Sequence, residues 1–158
     1  MAGGLSWYFA YGSNMNAVRL FEDRLKPEGI PAGVRIAGRL DGWRLAFNKT
    51  ARTPPGAGAG NIVAAAGEVV HGTLNLLPAQ GFDVLDRYEG VAGGHYERRR
   101  VAVVRGDTGA TVEAITYVAL LVGEQLRPTR AYLGHLLAGR DLLPAEYFRQ
   151  LDETPTLD

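Results

Sequence analysis

Hydrophobic and polar positions change their spacing several times along this chain, and each change predicts an element. Trp7 to Tyr11 is a short aromatic run that suits a buried strand, broken by Gly12-Ser13-Asn14. Val18, Leu20, Phe21 and Leu25 recur at helical spacing, which predicts a helix to about Arg24 capped by Asn14 or Asn16. Lys26-Pro27-Glu28-Gly29 reads as a turn. Strands are predicted at Val34–Leu40 and Trp43–Phe47, joined by the hairpin-type dipeptide Asp41-Gly42. Residues 53–60, rich in proline and glycine, read as a flexible loop. Ile62–Ala66 is a short strand candidate, and Glu68–Leu77 a second, with Val70, Gly72, Leu74 and Leu76 on one face. Pro78 opens a predicted helix that runs to about Glu89, with Phe82, Leu85 and Tyr88 on one side and Gly90 at the C-cap position. Tyr96–Val104 and Thr111–Val118 predict two antiparallel strands around Gly106-Asp107-Thr108-Gly109. Helices over Pro128–Leu137 and Pro144–Leu151, separated by Gly139, end the pattern.

The strands do not alternate regularly with helices, so the pattern argues for the α+β class: a small mixed β-barrel or curled sheet with flanking helices. With 158 residues and no linker or repeat, residues 1–158 are expected to form a single domain. Seventeen basic residues balance seventeen acidic ones, which removes the field that would steer the protein to nucleic acid or an anionic membrane. There is no cysteine, so disulfides, thiolate metal sites and cysteine nucleophiles are excluded. Met1 to Trp7 lacks a basic segment followed by an apolar run, and no apolar stretch approaches the roughly 20 residues that span a bilayer. A cytoplasmic location is the expectation.

Several motifs fail their own chemistry. Gly56-Ala57-Gly58-Ala59-Gly60 has the look of a phosphate loop, but Pro54-Pro55 precede it, a strand-like run follows, and no Lys-Ser/Thr pair completes it. His71, His95 and His135 are too dispersed for a local ligand pair. Arg98-Arg99-Arg100 alternates faces on a strand and cannot form one patch. No Gly-x-Ser-x-Gly elbow marks Ser13 as a nucleophile.

Two features carry chemistry. At Tyr11-Gly12-Ser13-Asn14, glycine lets the backbone turn sharply and lets a ligand approach, and the amides that follow can hold a carboxylate or an oxyanion. A plain capped turn is the other reading, and these residues alone leave both open. The second feature is Leu85-Asp86-Arg87-Tyr88-Glu89-Gly90-Val91, followed by Gly94-His95-Tyr96. A carboxylate in the last helical turn faces the carbonyl ends, which raises its pKa, and burial raises it further. Glu89 is thus suited to general acid/base work, with Asp86 as the rival carboxylate.

In combination, Tyr-Phe-Ala-Tyr-Gly-Ser-Asn-Met at 8–15 and Leu-Asp-x-x-Glu-Gly-Val at 85–91 resemble the γ-glutamylcyclotransferase family, whose wider superfamily includes AIG2-like proteins. Gly60-Asn61-Ile62, Val70-His71-Gly72-Thr73-Leu74, Pro128-x-x-x-Tyr132 and Leu143-Pro144-x-x-Tyr147 extend the resemblance over most of the chain. It implies a small barrel with flanking helices, no cofactor, Glu89 as the catalytic acid/base, and a substrate loop of Tyr8, Phe9, Ala10, Tyr11, Gly12 and Ser13. Asn14 joins that loop as part of the turn, and the family's substrate-contacting tyrosine falls on Tyr132. The implied reaction converts a γ-glutamyl amide into 5-oxoproline and a free amine, and links the chain to glutathione metabolism. The implied partner is a small γ-glutamyl substrate, without nucleic acid or membrane, and homodimers occur in the family. The alternatives are a cyclotransferase for a γ-glutamyl amine or natural-product intermediate, and a non-catalytic AIG2-like binding protein on the same fold.

Overall fold

The computed structural model describes residues 4–158. Five strands, β1 (Leu5–Ala10), β2 (Arg35–Thr50), β3 (Gly58–Pro78), β4 (Tyr96–Arg105) and β5 (Thr111–Ala119), close into a barrel in the order β1-β3-β2-β4-β5. Every neighbouring pair is antiparallel except β1 and β5, which meet in parallel through Trp7 opposite Ala114 and Tyr8 opposite Ile115. Helices α1 (Ala79–Tyr88), α2 (Arg130–Leu137) and α3 (Ala145–Asp152) flank it. The architecture is the expected mixed barrel with helices outside. None of the helices among the described residues is long and apolar enough to cross a membrane.

Strand alternation divides the core in two. Phe9, Tyr11, Leu40, Ile62, Leu74, Val103 and Ala114 come from all five strands and fill the barrel. Tyr8, Ala10, Leu77 and Tyr117 face outward onto Leu20, Leu25, Phe82, Leu85 and Leu136 of the helical layer. β3 therefore buries both faces along residues 70–75, so the one-sided pattern expected from Val70, Gly72, Leu74 and Leu76 is too simple: Thr73 and Asn75 are also fully buried.

Three local expectations are corrected. Val34–Leu40 and Trp43–Phe47 are not a hairpin about Asp41-Gly42 but parts of the single strand β2, and Ile62–Ala66 and Glu68–Leu77 likewise merge into β3. Gly42 (φ +85°) and Gly67 (φ +82°) sit within the ribbon, where the register moves from Asp41 opposite Val69 to Trp43 opposite Ala64. The left-handed glycines make a bend in a continuous ladder, a use of glycine that a dipeptide signal does not separate from a turn. The actual connection lies beyond Thr50, and the loop expected at 53–60 ends early because Gly58, Ala59 and Gly60 already belong to β3.

The first helical segment is also wound differently. Ser13–Met15 forms a 3₁₀ turn, and Val18–Leu25 is a π-helix in which the Lys26 amide donates to the Phe21 carbonyl. Asn16, and not Asn14, supplies the cap: its side-chain oxygen accepts from the amides of Val18 at 3.1 Å and Arg19 at 3.3 Å. Thr129 caps α2 by accepting from the Tyr132 amide at 3.1 Å.

A glycine fixes how closely β1 lies on β3. A methyl group at Gly72 would run into the Ala10 carbonyl oxygen and the Phe9 ring. Gly72→Ala is therefore expected to destabilise the fold by about 1–3 kcal/mol, measured by urea denaturation, whereas Gly134→Ala, whose methyl would meet nothing within 4 Å, is expected to be neutral or mildly stabilising.

Candidate active site

Where β1 ends, the chain turns through Gly12-Ser13-Asn14 over the rim of the barrel, and a cavity opens there. Its lining includes Tyr8, Tyr11, Gly12, Ser13, Asn14, Glu89 and Tyr132, all expected from the sequence. The structure adds Gly60 from β3, Tyr96 from β4, and Thr116 and Tyr117 from β5. Phe9 and Ala10 do not join the lining. Phe9 packs inside the barrel and Ala10 against the helical layer, so both hold the loop's strand in place and neither presents a side chain to the cavity.

Phenol hydroxyls knit the walls together. Tyr11 donates to the Tyr117 carbonyl at 2.5 Å, and Tyr117 donates to Asp86 Oδ1 at 2.7 Å. Gly60 is held from both sides: Tyr96 donates to its carbonyl at 2.7 Å, and its amide donates to the Tyr132 hydroxyl at 2.8 Å. A methyl at Gly12 or Gly60 would stand 3.2 or 3.1 Å from the Tyr132 oxygen, so that phenol reaches between two glycines. Burial pushes the Tyr132 hydroxyl up to about 12, with the Glu89 charge acting in the same direction, so the phenol keeps its proton. Asn14 donates to the Tyr8 hydroxyl at 2.9 Å and accepts from Arg24 at 3.0 Å, while Arg19 Nε donates to Ser13 Oγ at 3.2 Å. The amides of Gly12, Ser13 and Asn14 take no part in the backbone hydrogen bonds among the described residues, which leaves them available to an anionic group.

The two rival carboxylates are separated clearly. Asp86 receives Arg98 through two bonds of 2.7 and 2.8 Å and Tyr117 through a third. Burial works against its charge, yet these donors hold its carboxyl below the usual range. Glu89, three residues on, terminates α1 as its C-cap, with Gly90 in the left-handed conformation at φ +65°. Its half-buried carboxylate forms no hydrogen bond or ion pair within the described residues and faces the cavity. Burial pushes it up to about 6, against the opposing charges of Arg24, Arg19 and Lys49. The helix carbonyls act in the same direction as burial. A carboxyl group so placed can both accept and deliver a proton near neutral pH.

Lys49, Arg19 and Arg24 carried no sequence signal, since a lone cation in an amphipathic segment looks like any solvated one. Tyr96 did carry one, through its glycine-rich approach at Gly93-Gly94. Gly60 lies in a glycine run that reads as a loop, although Gly60-Asn61-Ile62 is among the segments that carry the family resemblance.

The profile of the AIG2-like family matches residues 69–151, which is more than half of the chain. A gamma-glutamyl cyclotransferase structure superposes over 98% of this chain and 90% of its own, with TM-score 0.84 and 24% identity. The human protein loc79017 does so over 98% and 90%, with TM-score 0.83 and 25% identity. A yeast gamma-glutamyl cyclotransferase specific to glutathione covers 94% of each chain, with TM-score 0.63 and 12% identity. These likenesses show a shared fold. No curated protein matches the sequence significantly.

The strained ionisation of Glu89 has a thermodynamic signature. Its carboxyl holds a proton to about pH 6 when folded but only to 4.5 when unfolded. Its contribution is full below pH 4.5 and is lost as pH rises through 6, a difference of about 2 kcal/mol. Glu89→Gln is therefore expected to be more stable than the parent by up to about 2 kcal/mol at pH 7–8, and the denaturation curves of the two proteins should converge below about pH 4.5.

Proposed function

The chain belongs to the AIG2-like family, and we propose that it is a γ-glutamylcyclotransferase that converts a γ-glutamyl amide into 5-oxoproline and a free amine, with Glu89 as acid and base. The observation that carries this reading is the unpaired Glu89 carboxylate, poised near pH 6 on the wall of a polar cavity that also presents free loop amides. The shared fold with gamma-glutamyl cyclotransferases supports it.

The substrate brings its own nucleophile, so the protein's task is proton traffic and geometry. Glu89 takes a proton from the substrate's α-ammonium, and the amine nitrogen attacks the γ-carbonyl carbon. A carbon–nitrogen bond forms within the ring, and the carbonyl oxygen becomes an oxyanion. Protonated Glu89 then delivers its proton to the leaving nitrogen as the original amide bond breaks and the carbonyl reforms. The ring nitrogen's remaining extra proton passes through Glu89 to the freed amine, and the carboxylate is restored. The amides of Gly12, Ser13 and Asn14 bind either the α-carboxylate or the oxyanion. Tyr132, held at Gly60, walls the cavity and keeps the substrate chain folded towards its own carbonyl. Holding the reacting atoms in a near-attack arrangement lowers the barrier by several kcal/mol.

Glu89→Gln is expected to reduce 5-oxoproline release from γ-glutamyl-alanine by at least about 100-fold, with circular dichroism unchanged. Near-normal turnover by this variant would sink the assignment. Because the free enzyme needs Glu89 ionised, kcat/KM should rise with pH through a limb near 6 and level off above it. A rate that is flat between pH 5 and 7 would contradict that role.

A further inference from the structure

Among the described residues the Glu89 carboxylate makes no hydrogen bond or ion pair, so its direction is set by the backbone that carries it. That backbone is the end of α1. The Glu89 amide donates to the Leu85 carbonyl at 2.8 Å, and Gly90 then turns the chain away at φ +65°. Asp86 lies three residues before Glu89 on roughly the same side of this turn, so any shift of Asp86 is passed on to Glu89. Whatever holds the turn against the barrel therefore decides where the acid/base sits.

Asp86 does this from α1. Arg98 of β4 and Tyr117 of β5 stand directly opposite each other in the ladder, and both side chains converge on its carboxylate. Asp86 Oδ1 accepts from Arg98 Nε at 2.8 Å and from the Tyr117 hydroxyl at 2.7 Å, and Oδ2 accepts from Arg98 Nη2 at 2.7 Å. Tyr117 lines the cavity, and its carbonyl accepts from Tyr11, the residue before the glycine turn. One carboxylate thus ties the helix that carries Glu89 to the strand that also holds Tyr11. The neighbouring pair of Arg87 with Glu28, at 3.1 Å, is exposed at both ends and restrains the helix little.

Resting on the cyclotransferase reading above, we propose that Asp86 is a positioning residue for catalysis: through Tyr117 and Arg98 it clasps the end of α1 to the barrel and keeps the Glu89 carboxylate in the cavity wall. Burial works against the Asp86 charge, yet its donors keep it ionised, and Glu89 is left without a competitor for them. Glu89 feels Arg24 and Arg19 from the π-helix and Lys49 from β2. The phenols around it are Tyr8 and Tyr11 of β1, Tyr96 of β4 and Tyr132 of α2, and His95 rests on the adjoining Gly90. Opening the clasp lets water reach Glu89. That removes the burial that raises it and leaves the pull of the cations, so its proton is released at lower pH.

Asp86→Ala is expected to lower kcat on γ-glutamyl-alanine by about tenfold or more, with KM near the parent's. It should also move the acidic limb of kcat/KM down from near pH 6 by about half a pH unit or more. Tyr117→Phe removes one hydroxyl and no charge, should move the limb the same way, and serves as the test should the alanine variant fail to fold. Asp86→Asn removes the charge but keeps an oxygen for Tyr117 and for Arg98 Nε, so it should stay close to the parent in kcat and in limb. Asp86→Ala combined with Tyr117→Phe should move the limb no further than Asp86→Ala alone, because both cut the same bond. A merely structural Asp86 would lower the folded fraction and leave the limb in place. An unmoved limb, additive shifts in the double variant, or a limb that moves as far in Asp86→Asn as in Asp86→Ala would overturn the proposal. Carbon-13 NMR titration of glutamate-labelled protein, with Glu89→Gln for assignment, reads the Glu89 midpoint without substrate. A midpoint lowered by Asp86→Ala in a protein that forms no 5-oxoproline would keep the clasp and remove the cyclotransferase reading. Turnover with an unmoved midpoint would do the reverse.

Discussion

The site depends on the closure of the barrel through β1. This six-residue strand hydrogen-bonds to β3 on one side and to β5 on the other, and only the second contact is parallel. Alternation along it is therefore pinned from both edges. Phe9 and Tyr11 enter the barrel while Tyr8 and Ala10 meet the helices, and a slip of one residue would exchange them. The turn that follows inherits this fixed exit, which is why loop residues can form one wall of a cavity whose other walls come from distant strands.

Against that frame, the charge distribution is uneven in an informative way. Several surface arginines are engaged with acidic neighbours, as Arg98 is with Asp86 and Arg100 with Glu113. Around the cavity that pairing stops. Glu89 faces phenols that keep their protons and cations that touch it only at a distance. A fold selected for stability alone would close such a gap, since a half-buried carboxylate raised to about 6 works against folding at neutral pH.

Much of this was legible in the residues. The glycine turn after an aromatic strand, and a glutamate followed by a left-handed glycine, are local signals written within a few positions, and Tyr8, Tyr11 to Asn14, Glu89 and Tyr132 do converge. What escaped depends on long-range placement. Gly60 reaches the cavity because β3 is one continuous strand through Gly67, where local propensity marked a turn. Phe9 and Ala10 belong to the same motif as the lining residues, but a motif records neighbours along the chain, and the pleat sends those side chains elsewhere. Asp86 and Glu89 could not be separated by position; the hydrogen bonds to Arg98 and Tyr117 separate them.

The irregularities of the β2–β3 ribbon decide the orientation of what it carries. Its pairing shifts between Asp41 and Trp43 and again between Ala46 and Lys49. Because side chains on a strand alternate, each irregularity resets the parity of every residue beyond it. Gly60 lies beyond the first, so the placing of one cavity wall is encoded in a count of residues made well away from it. Changes in length within this ribbon would turn a different set of side chains towards Glu89 while leaving that carboxylate and its helix untouched.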